Sequence, residues 1–203
     1  AECSYSHDGR AITYTVRRDK KPDMIWLMNA DGSRKRALIE REDLACGGPF
    51  FSPDDKWVLY RGMKPGGRSM HVYLTSIDGE TTLKLTTVSR VNWAPFFHPG
   101  GEAVAYAASM PDSRANFDLF LVKPDGSGRE VRVTTDLTFD GLPTFSPDGK
   151  LLMWTSKRAG KESQVFVADF VMPPESAFAV PKAPAPAHGG GAHPTSKPAN
   201  PHG

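Results

Sequence analysis

Residues 142–150 read Leu-Pro-Thr-Phe-Ser-Pro-Asp-Gly-Lys, and this stretch decides the fold. Its Ser-Pro-Asp-Gly core is typical of a tight turn, because proline presets φ and glycine accepts a positive φ. Related segments occur at 5–10 (Tyr-Ser-His-Asp-Gly-Arg), 51–56 (Phe-Ser-Pro-Asp-Asp-Lys) and 97–102 (Phe-His-Pro-Gly-Gly-Glu). Positions 8, 54, 100 and 148 align, at steps of 46, 46 and 48 residues. The chain is therefore built from four repeats.

Each repeat contains the same order of short apolar segments around this turn. The segment after the turn, such as 57–60 (Trp-Val-Leu-Tyr), predicts a buried strand, and a third segment such as 71–74 (His-Val-Tyr-Leu) follows a polar loop. An outer segment such as 131–134 (Val-Arg-Val-Thr) alternates apolar and polar residues, as a half-exposed edge strand does. No window sustains a helical period. The pattern predicts an all-β protein, a β-propeller of four-stranded antiparallel blades with almost no helix.

The repeat boundaries divide the chain into blades and a tail. We predict blades at about residues 1–42, 43–89, 90–137 and 138–171. The fourth repeat reaches Phe170 without a segment for an outer strand, so we expect it to be incomplete. From residue 172 onward Pro, Ala, Gly and His dominate, and residues 172–203 are predicted to form a disordered tail.

The fourth repeat carries a family resemblance. Residues 142–150, followed by 154–160 (Trp-Thr-Ser-Lys-Arg-Ala-Gly) and 164–169 (Gln-Val-Phe-Val-Ala-Asp), resemble a TolB-like, WD-like propeller repeat. The resemblance extends over residues 1–171. It implies a ring that usually has six or more blades, so we expect this chain to be a fragment of a larger propeller. It also implies a periplasmic or secreted protein that binds a protein or peptide partner.

Composition limits the partners of the chain. Its 25 Lys and Arg residues are interspersed with 23 Asp and Glu residues for a net charge of +2, so nucleic acid is not an expected partner. No apolar run approaches the roughly 18 residues of a membrane span. The two cysteines, Cys3 and Cys46, lack metal-ligand spacing and align three residues out of register, so we expect free thiols. No cofactor motif is present.

Catalytic and metal motifs are also missing from the sequence. Residues 67–71 (Gly-Arg-Ser-Met-His) end in His where a nucleophile elbow needs Gly. His7 and His98 occupy turn positions in separate repeats, and the tail histidines His188, His193 and His202 are irregularly spaced, so we assign no metal site. This chain is therefore not predicted to be an enzyme.

Two sets of residues are candidates for binding. The first lies three residues before the inner-strand proline of three repeats, a position that similar propellers present at a channel mouth; the alternative is that these side chains cap the turn entering the strand. The second set lies in basic loops on one rim and would steer an acidic partner; the alternative is a solvated rim. The channel-mouth candidates are Asp140, Asn92 and Cys46, and the rim candidates are Arg17, Arg18, Arg61 and Arg158.

Three functions remain open. The leading hypothesis is a non-catalytic, exported interaction or scaffold module, associated with the envelope or with transport as the resemblance implies. The second is the accessory propeller of a larger peptidase or hydrolase, which a catalytic motif in a longer parent chain would favour. The third is a propeller enzyme acting on acidic polysaccharide, which would require several histidines to converge on one metal ion.

Overall fold

A computed structural model describes residues 2–111 and 113–181 of the chain. These residues form fifteen strands in four sheets, followed by one short 3-10 helix, Glu175–Ala177. Blade 1 consists of β1 (Cys3–Tyr5), β2 (Ala11–Arg18), β3 (Lys21–Asn29) and β4 (Arg36–Ile39), and blade 2 consists of β5 (Ala45–Phe51), β6 (Trp57–Met63), β7 (Met70–Ser76) and β8 (Thr82–Lys84). Blade 3 consists of β9 (Asn92–Phe97), β10 (Val104–Met110), β11 (Ser113–Val122) and β12 (Glu130–Arg132), and blade 4 consists of β13 (Asp140–Phe145), β14 (Leu151–Ser156) and β15 (Gln164–Asp169).

Every blade is an antiparallel meander in which consecutive strands are hydrogen-bonded neighbours. Blade 4 has three strands, so its last strand β15 has no outer neighbour within the described residues. The predictions of an all-β propeller and of an incomplete fourth blade are confirmed. No helix in the described ranges is long and apolar enough to cross a membrane.

The repeated turn is held by one serine and one aspartate. The Ser146 hydroxyl donates to Asp148 Oδ1 (2.6 Å) and accepts from the Leu151 backbone N–H (3.0 Å). The same hydrogen bonds recur around Ser6 and around Ser52. Because a short side chain satisfies the backbone groups of the turn, the Ser-x-Asp pattern produces the same reversal in each of these blades.

Blade 2 departs from the pattern at Asp55, which occupies the position of glycine in the other turns and has φ of 56°. Its carboxylate accepts the backbone N–H groups of His7 (2.7 Å) and Asp8 (2.9 Å) in the turn of blade 1. A non-glycine residue at positive φ is strained by about 1–3 kcal/mol. The strain is offset here by bonds that connect two blades, which a glycine would not make.

The hydrophobic core lies between blades. We call the face of a blade towards the next blade in sequence its forward face, and the opposite one its back face. Forward-face residues of blade 2, including Leu59 and Leu74, pack on back-face residues of blade 3, including Tyr106 and Phe120. Corresponding clusters join blade 1 to blade 2 and blade 3 to blade 4. Since each sheet is buried on a face by its neighbour, the stack is stabilised mainly by apolar burial.

The inner strands share a bulge next to their prolines. Gly48 (φ 61°), Ala94 (φ 50°) and Leu142 (φ 55°) each have a left-handed backbone and directly precede proline. The strand register shifts at the same place in all three blades. An extra residue in one strand bends it and redirects its side chains. These bulges bring the three X-Pro dipeptides towards the propeller axis.

The folded part of the chain continues past the predicted end of blade 4 at residue 171. The Phe178 side chain is buried in the core cluster between blades 3 and 4, and Lys123 Nζ lies 4.3 Å from the centre of its ring. Ala179 exchanges backbone hydrogen bonds with Glu130 at the outer edge of blade 3 (2.9 and 3.1 Å). Residues 172–181 are therefore attached to blade 3, and the rest of the predicted tail lies outside the described residues.

Candidate functional site at the propeller axis

The inner strands of all four blades border one cavity of about 400 Å³, which we call the axial cavity. Its wall consists mainly of prolines, aromatic rings and small residues. The lining residues are Glu2, Cys3, Gly48, Pro49, Phe50, Arg61, Trp93, Ala94, Pro95, Phe96, Leu142 and Pro143. A concave, largely apolar pocket with a few polar groups is the usual form of a ligand site.

The bulged X-Pro dipeptides make this wall rigid. Proline has a fixed φ, and Phe50 and Phe96 pack edge to face with their ring centres 5.8 Å apart. Leu142 projects from its bulge with half of its surface (50%) exposed. A non-glycine residue held at positive φ stores strain, and such positions often occur at functional sites. Leu142 is therefore the apolar contact most available to a ligand in this cavity.

The axial cavity has one polar corner, formed by Glu2 and Arg61. An Arg61 terminal nitrogen donates to both Glu2 carboxylate oxygens, at 2.7 and 2.9 Å. The Gly48 backbone N–H also donates to Glu2 (2.6 Å). Because Glu2 belongs to blade 1 and Arg61 and Gly48 to blade 2, this corner joins the two blades. The pair remains partly exposed and offers both a donor and an acceptor to a ligand.

Three of the predicted site residues meet at a neighbouring cavity of about 420 Å³ between blades 1 and 2, which we call the rim cavity. Arg17, Cys46 and Arg61 all line it, and it shares Glu2 and Arg61 with the axial cavity. Arg17 lies at its exposed edge, 3.8 Å from an Asp23 oxygen. The two cavities therefore adjoin at the Glu2–Arg61 pair, and we call the two together the mouth.

Cys46 is a buried member of this mouth. Its thiol lies 3.7 Å from the Leu44 carbonyl oxygen, to which it donates. Burial raises the pKa of the Cys46 thiol to about 12, so the thiol is protonated at neutral pH. Cys3 is exposed, and both cysteines are free, as predicted. Cys46 therefore presents an unreactive thiol, in contrast to Cys3.

Asn92 is fully buried and acts as a hydrogen-bonding hub. Its amide nitrogen donates to the carbonyl oxygens of Met70 (2.8 Å) and Val88 (3.2 Å) and lies 3.3 Å from that of Arg90. Its amide oxygen accepts from Arg90 Nε (3.1 Å). These are the capping contacts that the sequence analysis gave as the alternative to a ligand contact. Since Met70 belongs to blade 2, they also fix blade 3 against blade 2.

Asp140 occupies the same place in blade 4 and is also fully buried. Its carboxylate accepts from Arg158 (2.5 Å) and from Trp154 Nε1 (3.3 Å). The structure thus brings two predicted site residues, Asp140 and Arg158, into one ion pair. The Arg158 guanidinium also lies 5.3 Å from the ring centres of Trp154 and Phe166. The positive charge of Arg158 is therefore largely neutralised by Asp140 and covered by aromatic rings of its own blade.

The last rim candidate, Arg18, is largely buried beside acidic residues of blade 1. Its NH1 nitrogen lies 3.1 Å from Glu40 and 3.6 Å from Glu42, and Nε donates to the Pro22 carbonyl (3.0 Å). Each of the four candidate arginines therefore has a carboxylate within 4 Å. The positive charge of each rim candidate is therefore partly neutralised by a neighbouring carboxylate.

A buried polar network in blade 3 was not foreseen from the sequence. An Arg90 terminal nitrogen donates to Glu130 (2.7 Å) and to the Tyr106 hydroxyl (3.2 Å), and that hydroxyl donates to Glu130. The Arg90 guanidinium also covers the Phe120 ring at 4.1 Å. Burial and then the charge of Glu130 raise the pKa of Tyr106 well above its usual value. The network is internally satisfied and stabilises the blade.

The three histidines of the described blades lie apart. His7 contacts Asp55, His71 contacts Thr86, and His98 contacts the Gly149 carbonyl. Among the residues that the structure describes, no group of three or more His, Cys, Asp or Glu side chains is placed to hold a metal ion. The histidines therefore occupy two turns and one strand of three different blades.

Apart from Arg61, sequence reasoning missed the residues that line the axial cavity. Leu142, Trp93 and Glu2 belong to repeat positions that vary among the blades, so periodicity alone did not select them. The available signal was the X-Pro dipeptide, which occurs at 48–49, 94–95 and 142–143. A dipeptide repeated at one register on the inner strand indicates a shared backbone feature facing the axis.

Comparison with known proteins agrees with this architecture. A family model described as the TolB β-propeller domain matches residues 25–173. A tricorn protease homolog from Saccharolobus solfataricus is 29% identical over 138 residues, covering 67% of this chain and 12% of that protein. A TolB homolog from Chlorobium luteolum is 29% identical over 124 residues, covering 60% of this chain and 26% of that protein. The crystal structure of TolB from Acinetobacter baumannii superposes with a TM-score of 0.68 at 25% identity, covering 80% of this chain and 39% of that one. The chain thus spans less than a third of the length of these two curated relatives.

Proposed function

The chain belongs to the TolB β-propeller domain family, and from this premise we propose that it is a non-catalytic module that binds a protein or peptide at its axial cavity. The observation that supports the proposal is the convergence of three X-Pro bulges and three aromatic rings, those of Phe50, Trp93 and Phe96, on one pocket of about 400 Å³. Repeat scaffolds of this kind present surfaces built from loops and strand ends of several repeats.

The cavity suits an extended peptide segment. An apolar side chain would pack against Leu142, Trp93 and Pro95, where the wall is already ordered and loses little entropy on binding. A peptide amide or carboxylate would meet the Glu2–Arg61 pair at the polar corner. Polar groups on rigid strands orient a ligand, while the apolar wall supplies most of the affinity.

We further propose that the channel-mouth candidates do not contact the ligand but hold in place the strands that line the cavity. Asn92 and Asp140 hold the entrances of β9 and β13 three residues before the bulged prolines, and Cys46 does so for β5. They would act as positioning residues for the mouth. Of the rim arginines, Arg61 would contact the ligand, while Arg17 and the paired Arg18 and Arg158 would border the approach.

The setting of the module is part of the proposal. The family and the similarity to a TolB homolog support an exported protein, periplasmic or secreted, associated with the envelope or with transport. Its partner would be a protein or peptide encountered in that compartment.

A second candidate function is the accessory propeller of a larger peptidase or hydrolase. The tricorn protease homolog supports it, because this chain matches 12% of that protein's length. In that role the axial cavity would admit peptide substrates to a catalytic domain elsewhere in the assembly. The third candidate, a polysaccharide-acting enzyme, has no such support, since His7, His71 and His98 lie in separate blades.

The test is selection of binders from a random octapeptide library on the full chain, followed by titration of a selected peptide. Leu142→Glu would place a charge in the apolar wall and should weaken binding at least tenfold. The matched control is Leu137→Glu, at a residue that is 82% exposed and does not line the cavity; it should bind like the native chain. Equal binding by both variants, or cleavage of the peptide by the chain alone, would contradict the proposal.

A further inference from the structure

The turns of neighbouring blades are connected by a side chain at the first and third junctions between blades. At the first junction the Asp55 carboxylate of blade 2 accepts the backbone N–H groups of His7 and Asp8 in the turn of blade 1. At the third junction the His98 ring of blade 3 lies against the turn of blade 4, with Nε2 3.2 Å from the Gly149 carbonyl oxygen. A side chain therefore closes the space between the turns at both junctions.

The second junction, between blades 2 and 3, has no such closing side chain within the described residues. Gly101 of blade 3 occupies the turn position that Asp55 has in blade 2, so it offers no side-chain acceptor to the preceding turn. In that preceding turn Pro53 lacks the backbone N–H that His7 donates at the first junction. The hydrogen bonds of the first junction therefore cannot form here, for two independent reasons.

The histidine of the third junction has no counterpart at the second junction either. Ser52 occupies the turn position of His98, and its hydroxyl donates to Asp54 inside its own turn (2.6 Å). A Cβ atom placed on Gly149 would lie 2.5 Å from the His98 ring, whereas one placed on Gly101 would meet no atom beyond its chain neighbours within 4 Å. The space that a ring fills at the third junction is therefore open at the second.

A cavity of about 450 Å³, which we call the turn cavity, occupies the second junction. The apolar part of its wall consists of Pro53, Trp57, Leu74, Phe97 and Pro124. The rim cavity lies at the opposite end of blade 2, because it is lined by Ala45 at the start of β5 and by Met63 at the end of β6. The turn cavity is therefore a separate site, and its size and mainly apolar wall suit a small ligand.

Two carboxylates, Asp54 and Glu102, border the turn cavity. Asp54 Oδ1 accepts from the Ser52 hydroxyl and from the Lys56 backbone N–H, and among the residues that the structure describes its other oxygen has no hydrogen-bond partner. Burial alone would raise the pKa of Asp54, but the hydrogen bonds from Ser52 and Lys56 and the charge of Lys56 outweigh it and lower the pKa. Glu102 is exposed, with one oxygen 3.2 Å from His98 Nδ1. In the described ranges no lysine or arginine nitrogen lies within 4 Å of either carboxylate, so their negative charge is available to a ligand.

We propose that the turn cavity binds a small organic cation, with its apolar body against Trp57 and its ammonium group facing Asp54 and Glu102. The apolar wall favours a hydrocarbon or aromatic body, because burying the two apolar surfaces releases water from both. The two carboxylates favour a positive charge, and an ammonium group close to an indole ring gains cation–π attraction. Both blades that form the cavity are complete in this chain. The site is also independent of the peptide-binding function of the axial cavity.

The first measurement is an NMR titration of the full, isotope-labelled chain with three probes of similar shape. Phenethylamine is cationic at neutral pH, phenethyl alcohol is neutral and phenylacetate is anionic. Phenethylamine should shift the amide signals of Gly100 and Gly101 and the indole N–H signal of Trp57, with a dissociation constant of about 1 mM or lower for a ligand of its size. The alcohol should bind about fivefold more weakly, because it lacks the ion pair, and the anion should bind more weakly still.

Two variants then test the charge of the cavity. Glu102→Lys changes an exposed side chain, so the fold should be retained, and phenethylamine should bind about tenfold more weakly while phenylacetate gains affinity. Asp54→Asn keeps an oxygen acceptor for the turn and removes the charge, so it should weaken binding of the amine but not of the alcohol. The matched control is Glu162→Lys, which makes the same change of charge at an exposed residue between β14 and β15 of blade 4, and it should bind phenethylamine like the native chain.

Four outcomes would overturn the proposal. The site is wrong if none of the three probes binds, or if phenethylamine shifts signals only outside the turn cavity. It is also wrong if Glu102→Lys and Glu162→Lys bind phenethylamine equally well. The preference for a cation is wrong if the amine and the alcohol bind equally, or if Asp54→Asn weakens both to the same extent. Peptide binding at the axial cavity should be the same in all these variants, so the two proposals can fail separately.

Discussion

Replacing Asn92 with alanine tests whether the buried channel-mouth positions are structural. The side chain makes two close hydrogen bonds to the carbonyls of Met70 and Val88 and accepts one from Arg90 Nε. Each net hydrogen bond contributes about 1 kcal/mol, and a buried group left without a partner costs about 1–3 kcal/mol. The three lost bonds therefore lower the free energy of unfolding by about 3 kcal/mol. For a chain of this size that is a fall in Tm of roughly 6–12 °C.

The assay is urea and thermal unfolding followed by tryptophan fluorescence. The matched control is Asn29→Ala, because the Asn29 amide donates to the Ser33 hydroxyl (2.9 Å) in an exposed turn, and its loss should cost under about 1 kcal/mol. The m-value should stay constant if only stability changes. Equal, small losses for the two variants would refute the structural role of Asn92, and loss of peptide binding at unchanged stability would favour a ligand contact.

Three further predictions concern single side chains. Asp55→Ala should destabilise the chain by about 1–2 kcal/mol, because the hydrogen bonds to the turn of blade 1 are lost. Asp55→Gly should destabilise it less, because glycine relieves the strain of the positive φ. The Tm values of the two variants measure both effects. Burial alone raises the pKa of Asp125, but hydrogen bonds from Ser127 and Arg129 outweigh it and lower the pKa to about 2. The stability that this carboxylate contributes is present above its unfolded-state pKa of 3.8 and is lost as the pH falls towards 2. Asp125→Asn should therefore make the acid unfolding curve flatter between these two pH values. An unchanged curve would contradict the assignment. One thiol should react with a disulfide reagent at pH 8 in the native chain and two in denaturant, since Cys46 is buried with its pKa raised to about 12; two fast-reacting native thiols would disprove this.

The sequence predicted the structure best where a particular backbone turn requires a particular short run of residue types. The Ser-x-Asp turn around Ser146 uses a side chain to satisfy its own backbone, so the pattern at 145–150 predicts the local structure without knowledge of the rest of the fold. The repeat spacing then orders the strands, and the missing outer strand after Phe170 was visible as a missing segment. Asn92 and Asp140 were selected from register alone. The backbone contacts of Asn92 were foreseen as an alternative, whereas the ion pair of Asp140 with Arg158 was not.

The features that the sequence did not predict depend on contacts between distant residues. A residue before proline normally favours an extended backbone, so nothing local indicates the left-handed φ of Ala94 and Leu142. Those bulges are held by pairing with the neighbouring strand. In the same way, Phe178 lies in a Pro-rich stretch that was predicted to be part of the disordered tail. Its burial depends on the backbone pairing of Ala179 with Glu130 at the outer edge of blade 3 and on the aromatic core next to that edge.

The composition of blade 4 supports the view that its forward face evolved to be covered. Its second and third strands place Leu151, Met153, Val165 and Val167 on that face, although exposed strand positions usually carry polar residues. Exposed aliphatic rows on a sheet invite association, as does an edge strand such as β15 that has no outer neighbour within the described residues. Natural proteins avoid this with charges or prolines on such a surface. Asp169 is the one charged residue among the paired forward-face positions of β15. The face therefore has the composition of a sheet face that a neighbouring blade covers.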